Sequence, residues 1–321
     1  MDVGVLTVPY SAKSLDVTLK YLSSLGVKYV EIGTGGFPGN AHANPDILLK
    51  DEKAFKLFQE TIRKYGLKIS ALSCHGNPVH PNKEQAKKDH DDFVKTVLLA
   101  EKLGINTVNT FSGCPGGSKE DKTPNWAVSA WPNDFQNIYK YQWNEVLIPY
   151  WKQTAKFALS HGVTKIALEM HPGFTVYNPE SLMKLRKAVG DVIGANFDPS
   201  HLFWQGIDPV VAIRYLGSAI HHFHAKDTQL FEDNVKKNGV LDMKSYAVLP
   251  ERSWVFRTVG YGHDAKVWKD MITMLRIVGY DGALSIEHED ALMSINEGME
   301  KAVSFLQNLV IKEQPAEAWW I

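Results

Sequence analysis

The sequence has few cysteines, little charge imbalance and no long apolar segment. Only two cysteines, Cys74 and Cys114, occur in 321 residues, whereas secreted proteins of this length more often carry several paired ones. The formal net charge is −1, so no basic surface for nucleic acid or an anionic membrane is indicated. No stretch approaches the ~18 apolar residues of a membrane-spanning helix, and the N-terminus lacks the apolar core of a signal peptide. We therefore expect a cytoplasmic protein that binds neither nucleic acid nor a membrane.

Short apolar, β-branched segments alternate with amphipathic, helix-like segments along the whole chain. The eight strand-like segments are 3–8, 28–33, 68–74, 106–112, 164–170, 193–198, 219–226 and 282–287. Glycines that suit a left-handed helix cap follow seven of the helix-like segments, as at Gly104 and Gly279. Eight strand-helix units predict an α/β fold, a single (β/α)8 TIM barrel that spans residues 1–321 as one domain.

Two long segments and an aromatic tail depart from this alternation. A doubly wound fold is disfavoured because no G-x-G-x-x-G follows a strand. Residues 113–136 and 228–262 follow the fourth and seventh strands, so in a barrel they would lie over the active face as walls of a pocket. The tail, residues 313–321, is expected to dock on the barrel or on a second subunit, and the oligomeric state stays open.

Ligand-type side chains end four successive strands. They are Glu169 in "ALEMHP", Asp198 in "NFDPSH", His224 in "HFHAKD" and Glu287 in "SIEHED". Because the carboxyl ends of neighbouring barrel strands meet at one face, we expect these side chains to converge. Converging carboxylates would repel each other unless a cation lies among them. Three carboxylates and one imidazole suit one divalent metal ion: Mn²⁺, Co²⁺, Mg²⁺ or Zn²⁺.

These four motifs, in this order, resemble the xylose-isomerase-like TIM-barrel superfamily. That superfamily contains sugar isomerases and epimerases and the AP endonuclease 2 type of barrel found in endonuclease IV. The resemblance implies that the four strand-end residues hold one metal ion. It further implies that Glu169 and Glu287 exchange protons with a keto-sugar substrate and that His201 holds substrate oxygens. Thr175 and Leu230 stand where characterised ketose 3-epimerases carry an acid and an arginine, so a different pocket is expected.

Other residues are candidates for substrate contact. His75 ends the third strand in "SCHGN" and faces the same mouth, where it either contacts substrate or makes structural hydrogen bonds. Lys226 either binds a substrate oxygen or forms an ion pair at the rim. Trp126 and Arg257 lie in the two long segments and are candidates for the pocket wall. His171, just beyond Glu169, is more typical of a residue that orients a ligand or packs a loop.

The predicted function is that of a metal-dependent sugar isomerase or epimerase. Its substrate would be a keto sugar, cyclitol or similar polyol whose proton next to the carbonyl is removed to give an enediolate. Two glutamates on opposite faces of one carbon would invert it, whereas a single base would move the proton between carbons. Three alternatives stay open: a 3-keto-glycoside lyase or deglycosylase with the same metal site, an endonuclease IV-like nuclease with about three metals, and a non-catalytic sugar-binding barrel.

Overall fold

The computed structural model describes residues 1–314, 317–318 and 320 of the chain. The strands are β1 (Asp2–Leu6), β2 (Tyr29–Gly36), β3 (Lys68–His75), β4 (Thr107–Thr110), β5 (Lys165–Glu169), β6 (Ile193–Phe197), β7 (Ile220–Ala225), β8 (Asp227–Leu230), β9 (Trp254–Arg257) and β10 (Ala283–Ile286). The helices are α1 (Leu15–Ser24), α2 (Pro45–Leu48), α3 (Glu52–Lys64), α4 (Lys83–Leu103), α5 (Asn133–Tyr141), α6 (Ile148–Ser160), α7 (Pro179–Val189), α8 (Pro199–Phe203), α9 (Pro209–Leu216), α10 (Glu232–Asn238), α11 (Ala265–Ile277) and α12 (Ile295–Gln307).

Eight parallel strands close into a barrel in the order β1-β10-β7-β6-β5-β4-β3-β2. The barrel closes between the two ends of the chain, where Val3 of β1 pairs with Leu284 of β10. The main apolar core joins the strands to the surrounding helices, as where the buried Trp151 and Trp268 pack in it. This architecture confirms the predicted TIM barrel, with the carboxyl ends of all eight strands at one face.

The second long segment contains more regular structure than its sequence pattern predicts. β8 and β9 form an antiparallel ribbon in which Asp227 is opposite Arg257 and Leu230 is opposite Trp254. The aromatic rings of Trp254 and Phe256 on β9 and of Trp204 make a separate small core. Because the ribbon starts right after β7, it is fixed over the carboxyl ends of the strands.

The C-terminal segment follows α12 along the amino-terminal side of the barrel. The amide of Gln314 donates to Asp281 Oδ2 at 2.8 Å, and Arg276 donates to the Glu313 carbonyl. The rest of the predicted docking of residues 313–321 falls largely on residues 315, 316, 319 and 321, which lie outside the described part of the chain. Within the described part, no helix is long and apolar enough to cross a membrane.

Candidate metal centre at the carboxyl ends of the strands

The structure brings the four predicted strand-end residues together in one buried cluster. Glu169 is the last residue of β5, and His224 lies on β7, next to the end of that strand. Asp198 and Glu287 directly follow β6 and β10. One donor atom from each of the four lies within 4.8 Å of the others. The convergence follows from the barrel itself, because β5, β6, β7 and β10 are neighbours in the closed sheet.

His224 directs its Nδ1 atom toward the two glutamates of the cluster. Its distance is 3.1 Å to Glu287 Oε2 and 3.4 Å to Glu169 Oε2. The other ring nitrogen, Nε2, lies 2.9 Å from Oε1 of Glu31, a buried residue of β2. The ring therefore joins the cluster on one side to the barrel interior on the other.

The direction of Asp198 is set by the helix that follows it. Asp198 caps the N-terminus of the short helix α8, and its Oδ1 atom accepts the Ser200 amide at 2.8 Å. Pro199 at the first helical position favours this entry geometry. With Oδ1 used as the cap, Oδ2 is left facing the cluster.

Lys226 is a buried cation among the carboxylates. Its Nζ atom lies 2.6 Å from Glu287 Oε2, 3.0 Å from Glu289 Oε2 and 3.2 Å from Asp198 Oδ2. The ammonium group also lies 4.7 Å from the centre of the Phe256 ring, within cation–π range. Burial alone would lower the pKa of Lys226, but the nearby charges of Asp198 and Glu287 raise it well above its usual value. Lys226 is therefore charged at any working pH.

Two further imidazoles surround Glu169. His201 Nε2 lies 3.0 Å from Glu169 Oε1 and 3.3 Å from Asp198 Oδ2. His75, at the end of β3, places its Nε2 atom 3.1 Å from Glu169 Oε2. Both residues were predicted from the sequence as candidates for substrate contact, and both lie beside the cluster.

The two glutamates are held as carboxylates by their surroundings. Burial on its own would raise the pKa of Glu169, but hydrogen bonds from His201 and His224 hold it well below its usual range. Burial would likewise raise the pKa of Glu287, but the charges of Lys226 and His224 lower it to about 2. For His224 the balance is opposite: burial lowers its pKa, and the charges of Glu31 and Glu287 raise it well above the usual value. Without a metal ion, the cluster thus holds two anionic glutamates beside a cationic His224.

The donor set is consistent with a divalent metal ion. Asp198 Oδ2 and His224 Nδ1 are buried and make no hydrogen bond of regular geometry among the described residues, although Lys226 Nζ lies 3.2 Å from Asp198 Oδ2 and Glu287 Oε2 lies 3.1 Å from His224 Nδ1. Buried polar atoms are almost always well paired, and a cation among these donor atoms would be a partner for all of them. Carboxylate oxygens and a neutral imidazole nitrogen are the ligands that Mn²⁺, Co²⁺ and Zn²⁺ accept.

Two neighbouring groups of potential ligands overlap this cluster. One consists of Glu31, His222 and His224, and the other of Glu169, His171 and His201. The additional members already have protein partners, since Glu31 accepts from Asn109 and Ser285. His171 Nδ1 lies 2.6 Å from the Pro172 carbonyl, and burial lowers the pKa of this imidazole to about 3. These groups therefore support the four-residue cluster and do not need cations of their own.

Arg257 and Trp126 lie in more peripheral positions. Arg257 donates from Nε to Asp290 Oδ2 at 3.1 Å and from Nη1 to Gln229 Oε1 at 2.8 Å. Trp126 packs edge-to-face on Tyr177, with 5.5 Å between ring centres. A groove of about 520 Å³ beside Trp126 is lined by Ala127, Val128, Phe135, Tyr139 and Tyr177, among others. None of the four clustered donors lines that groove, so its size says nothing about the chemistry of the cluster.

Sequence reasoning missed Glu31 and Glu289. Glu31 is a single acid inside the apolar segment "KYVEIG", and it lies fully buried in the barrel interior. A charged residue at a core-facing strand position was a usable signal, because such residues are almost never buried without partners. Glu289 gives no comparable signal, because it is one of several charges in "EHED" and its contact with Lys226 depends on how that loop folds.

Three comparisons place the chain among known proteins. The family described as "Xylose isomerase-like TIM barrel" matches residues 19–309. The uncharacterized protein YfiH of Bacillus subtilis (strain 168) is 41% identical over 294 residues, which are 91% of this chain and 94% of that protein. The structure of the IOLI protein with a zinc atom superposes with a TM-score of 0.67 at 19% identity, covering 98% of this chain and 100% of that one. D-psicose 3-epimerase, solved in the presence of D-fructose, gives 0.61 at 14% identity over 96% and 98% of the two chains. The two solved structures show a shared fold.

Proposed function

Because the chain belongs to the xylose isomerase-like TIM barrel family, we propose that it is a divalent-metal-dependent isomerase or epimerase of a keto sugar, cyclitol or similar polyol. One observation carries the proposal: four strand ends deliver one carboxylate or imidazole donor each within 4.8 Å. The metal ion would be Mn²⁺, Co²⁺, Mg²⁺ or Zn²⁺, held by Glu169, Asp198, His224 and Glu287. The family and its relatives named for epimerase activity and for a zinc atom support this choice.

The chemistry assigned to the site is proton transfer next to a carbonyl. A divalent cation supplies the positive charge that acidifies this proton and stabilises an enediolate. Glu169 and Glu287 are the two acid–base groups in the proposal, because both are carboxylates at the mouth and come from strands separated by β6 and β7. Removal by one and return by the other, from opposite faces of the carbon, inverts its configuration.

The other residues at the mouth bind and orient the substrate in this proposal. Lys226 is a permanent cation that can donate to a substrate oxygen in place of one of its carboxylates. His201 and His75 lie within 3.1 Å of Glu169 by their Nε2 atoms, and we assign them contacts with substrate hydroxyls. Trp126 and Arg257 are proposed as parts of the outer wall, from the two long segments.

The first test is metal stoichiometry. We would reconstitute the full chain with Mn²⁺, Co²⁺ or Zn²⁺ and measure bound metal by elemental analysis, for wild type and His224→Ala. A matched control is His161→Ala, because His161 pairs with Glu101 on the outer helices and lies outside the cluster. We expect about one metal per chain, lost only in His224→Ala. A content near three would favour the nuclease alternative, and no metal in any condition would contradict the proposal.

The second test is deuterium uptake from solvent. Keto sugars, beginning with D-fructose and D-psicose, and keto-cyclitols would be incubated in D₂O with the metal-loaded protein and followed by NMR. Glu169→Gln and Glu287→Gln are each expected to abolish conversion of one epimer into the other, because inversion needs both acid–base groups. Glu289→Gln is the control, because Glu289 also contacts Lys226 but is 52% exposed and lies outside the donor group. Near-full activity of either cluster variant would rule out the two-base mechanism.

A methyl 3-keto-glycoside added to the same assay separates the lyase alternative. Elimination would release a leaving group from a 3-keto-glycoside instead of returning the proton to carbon. Free aglycone, or free alcohol from a methyl 3-keto-glycoside, would therefore identify the lyase. Binding of a sugar with neither deuterium uptake nor release would favour the non-catalytic barrel.

A further inference from the structure

Glu31 is a fully buried carboxylate in the interior of the barrel, below the donor cluster. TIM barrels normally fill this space with bulky apolar side chains. Here Asn109 Nδ2 donates to Glu31 Oε1 at 2.8 Å, and Ser285 Oγ donates to Oε2 at 2.7 Å. Ser73 Oγ also donates to Oε1. Since these donors come from β4, β10 and β3, the carboxylate is fixed from three sides and cannot rotate freely.

The remaining contact of Glu31 is with His224. The Nε2 atom of this ring lies 2.9 Å from Oε1 and 3.0 Å from Oε2 of the carboxylate. A carboxylate with donors on both oxygens is an acceptor only, so Nε2 of His224 must carry a hydrogen. The opposite nitrogen, Nδ1, is buried and faces the cluster, 3.1 Å from Glu287 Oε2 and 3.4 Å from Glu169 Oε2.

We propose that Glu31 is a positioning residue that assigns Nδ1 of His224 to the metal ion. The proposal rests on the proposed metal site and adds which nitrogen binds and what determines it. Glu31 holds the hydrogen on Nε2 and fixes the ring plane, while the side chains of Ser73, Asn109 and Ser285 fix Glu31. Carboxylate partners of this kind increase the basicity of a ligating imidazole, and their loss typically weakens metal binding by about 10- to 100-fold.

The first experiment measures Zn²⁺ affinity by competition with a chromophoric chelator. Glu31→Gln keeps the size of the side chain and removes its charge. Glu101→Gln is the matched control, because Glu101 Oε2 also lies 2.9 Å from an imidazole nitrogen, that of His161, but on the outer helices and outside the cluster. We expect the dissociation constant of Glu31→Gln to rise by about 10-fold or more and that of Glu101→Gln to stay as in wild type. Melting curves of both metal-free variants would separate a loss of fold from a loss of affinity.

The result that overturns the proposal is a folded Glu31→Gln protein that binds Zn²⁺ as wild type does. If Glu31→Gln fails to fold, the wild type decides the question. With ¹⁵N-labelled histidine and Zn²⁺ bound, NMR is expected to show one imidazole with a protonated Nε2 and a metal-bound Nδ1. Binding through Nε2 would refute the role of Glu31. Since neither readout uses turnover, failure of this inference is distinguishable from failure to find isomerase activity.

Discussion

Lys226 and Glu287 face each other just beyond the ends of β7 and β10, with 2.6 Å between Nζ and Oε2. The side chain of Lys226 is 2% exposed and that of Glu287 is 16% exposed, so water screens this pair only weakly. Asp198 and Glu289 share the same ammonium group. Lys226 and a protonated His224 are two cations beside the four carboxylates of Glu169, Asp198, Glu287 and Glu289, so the cluster keeps an excess of negative charge that a divalent metal ion would offset.

Replacing Lys226 by methionine tests this charge balance. Lys226→Met leaves the buried carboxylates without their cation, and breaking a buried pair in this way costs about 3–5 kcal/mol. We expect the metal-free variant to unfold at a lower temperature and a lower urea concentration than wild type. Added Zn²⁺ should restore more stability to the variant than it adds to wild type, because the metal ion then supplies the missing positive charge.

The surface pair Lys236 and Glu232 provides the control. Both side chains are 71% exposed in an i,i+4 pair, and such pairs contribute roughly 0–1 kcal/mol. Lys236→Met should therefore melt as wild type does, with and without Zn²⁺. Equal melting of Lys226→Met and Lys236→Met in the absence of metal would show that Lys226 is not needed to balance the cluster.

Asp227 is predicted to fix the loop that follows β9. Its Oδ2 atom accepts the backbone amides of Gly260, Gly262 and His263, and its Oδ1 atom lies 2.8 Å from His263 Nδ1. Asp227→Ala removes both acceptor oxygens and with them these four hydrogen bonds, and each hydrogen bond to a charged group contributes about 1.5–3 kcal/mol. We expect a large loss of stability together with fast amide hydrogen exchange over residues 258–263, measured by mass spectrometry.

Asp264 offers a matched comparison in the same loop. It caps α11 by accepting the amides of Lys266 and Val267, and it is not part of the buried acceptor set of Asp227. Asp264→Ala should cost about 1 kcal/mol, as loss of an N-cap does. If the amides of residues 258–263 exchange equally fast in both variants, Asp227 is not the residue that fixes this loop.

The sequence predicts the barrel and the gathering of the strand-end residues for one physical reason. Alternating strand and helix patterns determine which strand ends share a face, so the convergence of Glu169 and Glu287 follows without knowledge of any side-chain contact. The sequence pattern gives no comparable signal for individual contacts between side chains. The bond between Glu31 and His224 joins residues 193 positions apart, and no periodicity predicts the pairing of two interior positions.

The long segment after β7 shows a similar limit. Its position over the carboxyl ends is predictable from the strand that precedes it, but the antiparallel ribbon of β8 and β9 is not. The stacking of Trp204 on Trp254, with 4.7 Å between ring centres, joins the end of α8 to strand β9. Such a local core forms only because the barrel brings both segments to the same face.

His221 is predicted to make stability depend on acid pH. Burial lowers the pKa of this imidazole from 6.5 to about 4, so the unfolded chain binds a proton more readily than the folded one. The contribution of His221 is therefore fully present above pH 6.5 and is lost as pH falls toward about 4. We expect the melting temperature of wild type to fall over this range more steeply than that of His221→Gln. An equal fall of the melting temperature with pH in the two proteins would show that His221 does not cause the effect.

Alanine substitutions at Gly36 and Gly39, near the end of β2, would distinguish a steric clash from backbone strain. Both have positive φ, +62° and +66°, so alanine is unfavourable at either position. A Cβ at Gly36 would lie 1.9 Å from the His75 carbonyl oxygen, whereas none of the described atoms lies within 4 Å of a Cβ at Gly39. Gly39→Ala should therefore cost only the strain of its φ angle, about 1–2 kcal/mol. Gly36→Ala should cost about 1–3 kcal/mol more, measured by urea unfolding. Because the clash would displace the end of β3, where His75 contacts Glu169, this variant should also bind Zn²⁺ more weakly at the donor cluster. Equal losses in the two variants would mean that the end of β3 moves without cost and that the position of His75 is not fixed by this contact.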